Sequence, residues 1–155
     1  MESRIEKLNT VREVQLLYSP HKNQSKRINI KTSLDAYNAI IPSYNQKTIA
    51  IQEEFIVMML NNANSPLCVY KASTGGIANC VVDIRLIMAT ALKSLCTGLI
   101  ISHNHPSGKL IPSNADLSLT KKIKDACRLF DIQLLDHLIV DPYGGFASLG
   151  DQGLI

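Results

Sequence analysis

Apolar residues along the chain recur in patterns that fit a series of strands and two amphipathic helices. The run FIVMMLN, residues 55–61, is apolar on both faces, as expected of a strand buried within a sheet. Further strands are predicted from these segments: LCVYKAS (67–73), IANCVV (77–82), TGLIISH (97–103), IQLLDHLIV (132–140) and GFASLG (145–150).

Two segments between these strands have helical periodicity. Asp83 can cap the first helix, whose apolar residues share one face: Ile84, Ile87, Met88, Ala91, Leu92 and Leu95. The second helix runs from about Ser113 to Phe130, with a buried face formed by Leu119, Ile123, Cys127 and Phe130. Strands interleaved with helices predict an α/β fold, in which helices pack on the faces of a mixed β-sheet.

The first third of the chain has a different pattern. VREVQLLYS and SKRINIKT alternate apolar and polar residues around the turn signal SPHKNQ, which predicts a β-hairpin. SLDAYNAIIPSY then predicts a short helix, with Ser33 as its cap and an end near Pro42. We therefore predict an N-terminal hairpin and helix appendage over residues 1–47 and a main domain over residues 48–155.

Composition narrows the class of protein. The chain has 155 residues, is 46% hydrophobic and has four cysteines. None of the cysteines forms a C-x-x-C pair, and each has apolar neighbours, so we expect buried free thiols in a reducing compartment. No apolar run is long enough to span a bilayer, and MESRIEKLNTVRE lacks the apolar core of a signal peptide. We expect a cytoplasmic protein with no membrane contact.

The positive charge is concentrated near the N-terminus. Residues 1–47 contain eight Lys/Arg against four Asp/Glu, whereas residues 48–155 contain eight against nine. The cluster of Lys22, Lys26, Arg27 and Lys31 is either a solvated loop, together with His21, or a weak, sequence-independent contact with nucleic acid.

The residues that could bind a metal lie at the end of the strand TGLIISH and in the segment that follows it. Side chains on a strand repeat every two residues, so His103 and His105 point to the same side at the strand end. Ser113 and Asp116 open the next helix, where Ser-x-x-Asp also resembles a capping box. Two imidazoles and one carboxylate suit zinc and leave one coordination position for water, whose pKa the metal lowers toward ~7.

A zinc hydrolase also needs a general base and a donor that stabilises the oxyanion. Glu53 and Glu54 precede the buried strand and face opposite ways, so only one of them can reach the metal. Ser113 is the candidate donor. His137 lies within a predicted strand and is expected to be a core or supporting histidine rather than a fourth ligand.

The segment SHNHPSGKLIPSNAD resembles the JAB/JAMM metalloprotease motif, His-x-His-Pro, six residues, Ser, two residues, Asp. HNHPSG and LLDHLIV resemble the RadC-like branch of that superfamily, over about residues 48–155. The resemblance implies a cytidine-deaminase-like fold, with zinc held by His103, His105 and Asp116. It also implies a glutamate base and a serine, Ser113, that steadies the tetrahedral intermediate.

Which glutamate acts as the base depends on the branch. The RadC-like pattern Glu-x-Phe selects Glu53, whereas other JAMM proteins place the glutamate directly before the aromatic residue, which would select Glu54. Residues 1–47 do not resemble the helix-hairpin-helix domain that precedes RadC-like domains. The Pro-Arg-Glu that usually opens the following helix appears here as IRL, which keeps only Arg85.

Two functions follow from these observations. The first is a zinc-dependent hydrolase, a metallopeptidase or isopeptidase acting on an unidentified peptide or isopeptide substrate. The alternative is a DNA-repair-associated or nucleic-acid-associated accessory protein, whose metal site is not catalytic and whose working surface is the basic N-terminal region. The sequence leaves the oligomeric state open.

Overall fold

A computed structural model describes residues 28–76 and 81–155, and these parts form an α/β fold around a mixed sheet. The described elements, in chain order, are α1 (Ser33–Ile40), a 3-10 helix (Ile41–Ser43), β1 (Glu54–Leu60), β2 (Pro66–Thr74), α2 (Ile84–Ser94), β3 (Gly98–Asn104), α3 (Asn114–Arg128), β4 (Gln133–Val140) and β5 (Phe146–Ser148). The α/β prediction with a mixed sheet is confirmed.

The five strands have the spatial order β2-β1-β3-β4-β5. β1 is antiparallel to both of its neighbours, β3 and β4 are parallel, and β5 is antiparallel to β4. Helix α3 makes the crossover between the two parallel strands. Such a connection brings the carboxyl end of β3 close to the beginning of α3, which is the edge where sites form in α/β sheets.

Apolar residues fill both faces of the sheet, because every residue of β1 and β3 is buried. One face packs against α2 and α3 through a cluster that includes Phe55, Val57, Ile87 and Ile123. The other face is covered by the segment before β1. Its side chains complete a second core cluster with the sheet, to which it contributes Ile30, Ala36, Ile40, Tyr44 and Ile49.

Side-chain caps begin all three α-helices. Asp83 caps α2 by accepting a hydrogen bond from the Arg85 N–H, as predicted. The cap of α1 is Thr32 rather than the predicted Ser33. Ser33 already has helical geometry, and its hydroxyl instead donates to Asp151 across the fold, with an Oγ–Oδ2 distance of 2.5 Å.

Several local predictions need correction. The part of the predicted hairpin that the structure describes, residues 28–32, is not a strand, and the rest lies outside the described residues. In the predicted strand 77–82, residues 81 and 82 are not in a strand, and residues 77–80 are not described. The helical period alone overestimated burial, because it does not show where a helix ends. Leu95 is the left-handed C-cap of α2 and Phe130 lies beyond the end of α3, and both are exposed, as is Leu92 within α2.

The cysteine prediction holds in part. Cys96 and Cys127 are buried free thiols, whereas Cys68 is a free thiol exposed on the edge strand β2. Cys80 lies outside the described residues. None of the helices in residues 28–76 and 81–155 combines the length and apolarity needed to cross a bilayer.

Candidate metal centre

Strand β3 and the turn after it place two imidazoles side by side. His103 is paired with Phe55 of β1 and Ile139 of β4, so its position is fixed from both sides. His105 extends the ladder, because its N–H donates to the Val140 carbonyl at 2.9 Å. Gly108 then donates back to the His105 carbonyl at 3.0 Å, with a φ of 79° that favours glycine. The Nε2 atoms of His103 and His105 are 2.9 Å apart.

The first turn of α3 brings a carboxylate to these imidazoles. Asp116 Oδ1 is 3.3 Å from His103 Nε2, and Asp116 Oδ2 is 3.6 Å from His105 Nε2. A tetrahedral metal with ligands at ~2.0–2.1 Å holds neighbouring ligand atoms roughly 3.3 Å apart, so the three spacings fit such an ion. The three residues thus form a group that could hold a metal ion, as the spacing of the sequence predicted.

The hydrogen bonds of His105 also fit a metal. Its Nδ1 is 2.6 Å from the carbonyl oxygen of Lys109, which can only accept, so the ring hydrogen lies on Nδ1. In the neutral ring, Nε2 therefore carries a lone pair that points toward His103 and Asp116. The side chains of His105 and Asp116 are 14% and 18% exposed, so the group is buried enough to be ordered and remains open to solvent.

Asp116 stays ionised in this environment. Partial burial raises the pKa of its carboxyl group, but its contacts with the His103 and His105 imidazoles and its hydrogen bonds from Ser113 outweigh burial and bring the pKa well below its ordinary value. An ionised carboxylate is the form that binds a metal.

Ser113 holds the carboxylate in place. Its backbone N–H and its hydroxyl both donate to Asp116 Oδ2 at 2.7 Å, while the Asp116 N–H donates to the serine Oγ at 3.1 Å. This arrangement is a capping box, so the capping and site interpretations of the sequence apply to the same two residues. The single hydroxyl hydrogen of Ser113 is engaged by Asp116 in this arrangement.

Glu53 is close enough to His105 for its charge to act on that imidazole. It is half-buried at the entry to β1, where its carbonyl accepts a hydrogen bond from the Gly75 N–H at 2.7 Å. The pKa of His105 is raised, first by its hydrogen bond to Asp116, against the opposing effect of partial burial. The Lys109 carbonyl and the charges of Asp116 and Glu53 raise it further. The negative charge of Glu53 therefore acts on a predicted metal ligand.

Glu54 is bonded to residues outside the candidate metal centre. Its side chain is 3% exposed and pairs with Lys71, with Oε1 and Nζ 2.7 Å apart. Its second oxygen accepts from the Asn45 N–H at 3.1 Å. Its own backbone N–H donates to the Asn104 side-chain oxygen at 2.7 Å. Both carboxylate oxygens of Glu54 are thus committed to partners on the side of Asn104, away from the imidazoles.

Three residues that hold the candidate site and the adjoining segment in place were not predicted from the sequence. Thr120 follows Asp116 by four residues, and this helical spacing could have pointed to it. Asn104 lies between the two histidines and faces the other way, and Lys71 carries a charge within an edge strand. Only three-dimensional contacts connect Lys71 to Glu54. His137 lies behind His103, with His137 Nε2 and His103 Nδ1 2.8 Å apart.

The basic cluster predicted to contact nucleic acid lies almost entirely outside the described residues. Lys22, Lys26 and Arg27, like His21, are not described. Lys31 is exposed, and its backbone N–H donates to Asp35 at 3.0 Å. Contact with nucleic acid therefore stays a prediction.

Comparisons with known proteins identify the family of the chain. The family model of the RadC-like JAB domain matches residues 30–154. A UPF0758 protein of Flavobacterium johnsoniae is 45% identical over 125 residues, which cover 81% of this chain and 53% of that protein. A UPF0758 protein of Porphyromonas gingivalis is 36% identical over 136 residues, covering 88% of this chain and 59% of that protein. The chain spans about half the length of these relatives, and it belongs to the RadC-like JAB domain family.

Proposed function

We propose that the chain is a zinc-dependent hydrolase that cleaves amide bonds in a peptide or isopeptide substrate. The observation that carries this proposal is the convergence of His103, His105 and Asp116 at a solvent-accessible strand end, where the charge of Glu53 acts on His105. A structural zinc site is closed by four protein ligands, whereas a catalytic site has three and an open position. The residues that the structure describes supply three, and the family match favours hydrolysis.

The donor set determines which metal chemistry is available. Two imidazoles and a carboxylate suit zinc better than calcium or magnesium, which prefer oxygen ligands alone. When bound, zinc would act as a Lewis acid and lower the pKa of a coordinated water.

Protein side chains would transfer the proton and stabilise the oxyanion. Glu53 takes a proton from the attacking water and passes it to the leaving amine, because it is the glutamate whose charge reaches His105. Ser113 first orients the Asp116 carboxylate. Its hydroxyl would release Asp116 and donate to the oxyanion as the tetrahedral species forms, since one hydrogen cannot serve both acceptors.

The proposal is tested with quenched fluorogenic peptides and lysine ε-linked isopeptides, assayed with zinc and with a chelator. We expect chelator-sensitive hydrolysis in the wild type and a loss of about 10²–10⁴-fold in Glu53→Gln. The zinc content of that variant should not change, because the amide keeps the shape and removes only the base.

Glu54→Gln is the matched control, since it makes the same chemical change one residue away. We expect its activity to stay within a few-fold of the wild type. Loss of activity in Glu54→Gln alone would transfer the role of base to Glu54. Unchanged hydrolysis in both variants would refute the mechanism.

A further inference from the structure

His137, from the LLDHLIV segment, is a buried histidine that the proposed hydrolysis does not use. It lies on β4 beside Ile101, on the face of the sheet that carries His103. The residue is 0% exposed, and both ring nitrogens have partners: Nε2 is 2.8 Å from His103 Nδ1, and Nδ1 is 2.6 Å from Thr120 Oγ1. A fully satisfied histidine directly behind a metal ligand can control which nitrogen of that ligand carries hydrogen.

Thr120 fixes the direction of this hydrogen-bond chain. Its Oγ1 is 2.6 Å from the backbone carbonyl oxygen of Asp116, and a carbonyl can only accept. The one hydroxyl hydrogen of Thr120 is therefore used on that carbonyl. Toward His137 the same oxygen must accept, so His137 carries its hydrogen on Nδ1.

The chain then determines the state of His103. The His137 side chain is completely buried, and the partners of its two ring nitrogens are His103 and Thr120 rather than a carboxylate, so burial disfavours a charge on the ring and keeps it neutral. With hydrogen on Nδ1, its Nε2 can only accept, and the bond at 2.8 Å must come from His103 Nδ1–H. The neutral His103 ring consequently has its lone pair on Nε2, the atom that faces His105 and Asp116.

We propose that Thr120 and His137 are positioning residues that lock His103 in the tautomer able to bind the metal. The proposal rests on the metal site of the proposed function and not on hydrolysis. The Lys109 carbonyl does the same for His105, so when both rings are neutral their Nε2 lone pairs face each other across 2.9 Å. Two such lone pairs repel each other unless a proton or a metal ion lies between them, so the neutral pair favours metal binding.

Removing the Thr120 hydroxyl should free His103 to change its tautomer without removing a metal ligand. In Thr120→Val, the His137 Nδ1–H has no acceptor, and the ring gains by moving its hydrogen to Nε2. It then donates to His103 Nδ1, and the His103 hydrogen moves to Nε2, where it blocks the ligand position. We expect the affinity for zinc to fall about 10–100-fold.

Zinc titration against a competing chelator measures this effect. Thr120→Ser keeps a hydroxyl and should bind zinc like the wild type. Thr90→Val is the matched control, because Thr90 makes the same hydroxyl bond to the carbonyl four residues earlier, Leu86, on a helix away from the site. Unchanged zinc affinity in Thr120→Val would overturn the proposal.

Imidazole ¹⁵N NMR gives a readout that does not depend on metal or activity. The chain has four histidines, so the spectrum of the metal-free protein can be assigned by substitution. At about pH 9, where imidazoles are neutral, we expect hydrogen on Nδ1 of His103 and His137 in the wild type, and on Nε2 of both in Thr120→Val. Hydrogen on Nε2 of His103 in the wild type would overturn the proposal.

The two measurements separate this inference from the proposed function. If wild-type protein bound no zinc, the proposed hydrolase would fail, while the tautomers of the metal-free protein would still decide whether the lock exists. If His137→Leu does not fold, the Thr120 variants and the wild-type spectrum are sufficient to decide.

Discussion

At the carboxyl end of β3, both faces of the sheet carry polar residues. The two faces differ in how well hydrogen-bond donors and acceptors are matched. On the ligand face, defined by His103, His105 and Asp116, imidazole nitrogens and carboxylate oxygens converge at distances of 2.9 to 3.6 Å, and the proposed tautomers leave too few hydrogens to join them. On the clamp face, defined by Ser102, Asn104 and Glu54, the bonds described for these side chains pair a donor with an acceptor.

The clamp face holds the segment before β1 against the sheet. Asn104 accepts from the Glu54 N–H and donates to the carbonyls of Ile49 and Gln52, at 2.7 to 2.8 Å. The hydroxyls of Ser102 and Tyr44 are 2.7 Å apart. The loop that carries Glu53 is therefore held at both ends by groups on the clamp face.

The difference indicates which face binds a ligand. A buried polar cluster with balanced donors and acceptors needs nothing further and contributes to stability. A cluster with excess lone pairs requires a proton or a metal ion to be stable. Because consecutive residues of one strand alternate between the faces, the three residues HNH supply a candidate metal ligand, a structural clamp and a second candidate ligand.

The largest effect that the comparison predicts is on metal content. His105→Ala removes one of the three ligands, so zinc in protein purified without chelator should fall from about one equivalent per chain to near zero. Ser102→Ala makes a change of similar kind on the clamp face and should keep its zinc. Equal zinc in wild type and His105→Ala, by elemental analysis, would contradict the assignment of the ligand face.

Loss of the central clamp residue should be the largest effect on stability. Asn104→Ala removes three hydrogen bonds and leaves backbone groups unpaired in the interior, so the free energy of unfolding should fall by about 2–4 kcal/mol. Asn61→Ala is the control, since Asn61 also receives two backbone N–H groups but lies in a turn. Equal losses for the two variants in urea denaturation would show that the clamp has no special role.

Substitutions of the two neighbouring glutamates should differ in their effect on protein stability as well as on activity. Glu54→Gln weakens the bonds to Lys71 and the Asn45 N–H, and we expect the free energy of unfolding to fall by about 1–2 kcal/mol. The effect is limited because the Lys71 side chain is 39% exposed and water screens the pair. Glu53→Gln should stay within about 0.5 kcal/mol of the wild type. The reverse order in thermal or urea unfolding would place Glu53 on the clamp face.

The smallest effect concerns pH in the metal-free protein. Because the folded pKa of His105 is raised, its contribution to stability is full below the ordinary value of 6.5 and is lost as pH rises through the folded pKa. The pKa of Asp116 is lowered, so its contribution is present above 3.8 and is lost as pH falls.

As the pH rises above the ordinary imidazole value of 6.5, the melting temperature of the metal-free protein should therefore fall. His105→Gln should give a flatter profile, because it removes the group that titrates. A variant profile as steep as that of the wild type would assign the pH dependence to another group.

The strands and helices of the main body were predictable because their residues obey local rules. FIVMMLN is apolar on both faces and became the buried strand β1, and Asp83 and Ser113 cap the helices that they were expected to cap. Predictions at the ends of elements were weaker. The helical period cannot show where a helix ends, as at Leu95, or which of two adjacent hydroxyl residues is the cap, as at Thr32 and Ser33.

The sequence by itself determined that His103, His105 and Asp116 would meet, because strand period, the Pro-Gly turn and the helix start are all local. Only the tertiary structure decided what these residues can do there. The proposed tautomer of His103 depends on His137 and Thr120, and the placement of Glu54 depends on Lys71 and Asn104. Hydrogen-bond direction is set by partners distant in the chain, and no local pattern of residues contains that information.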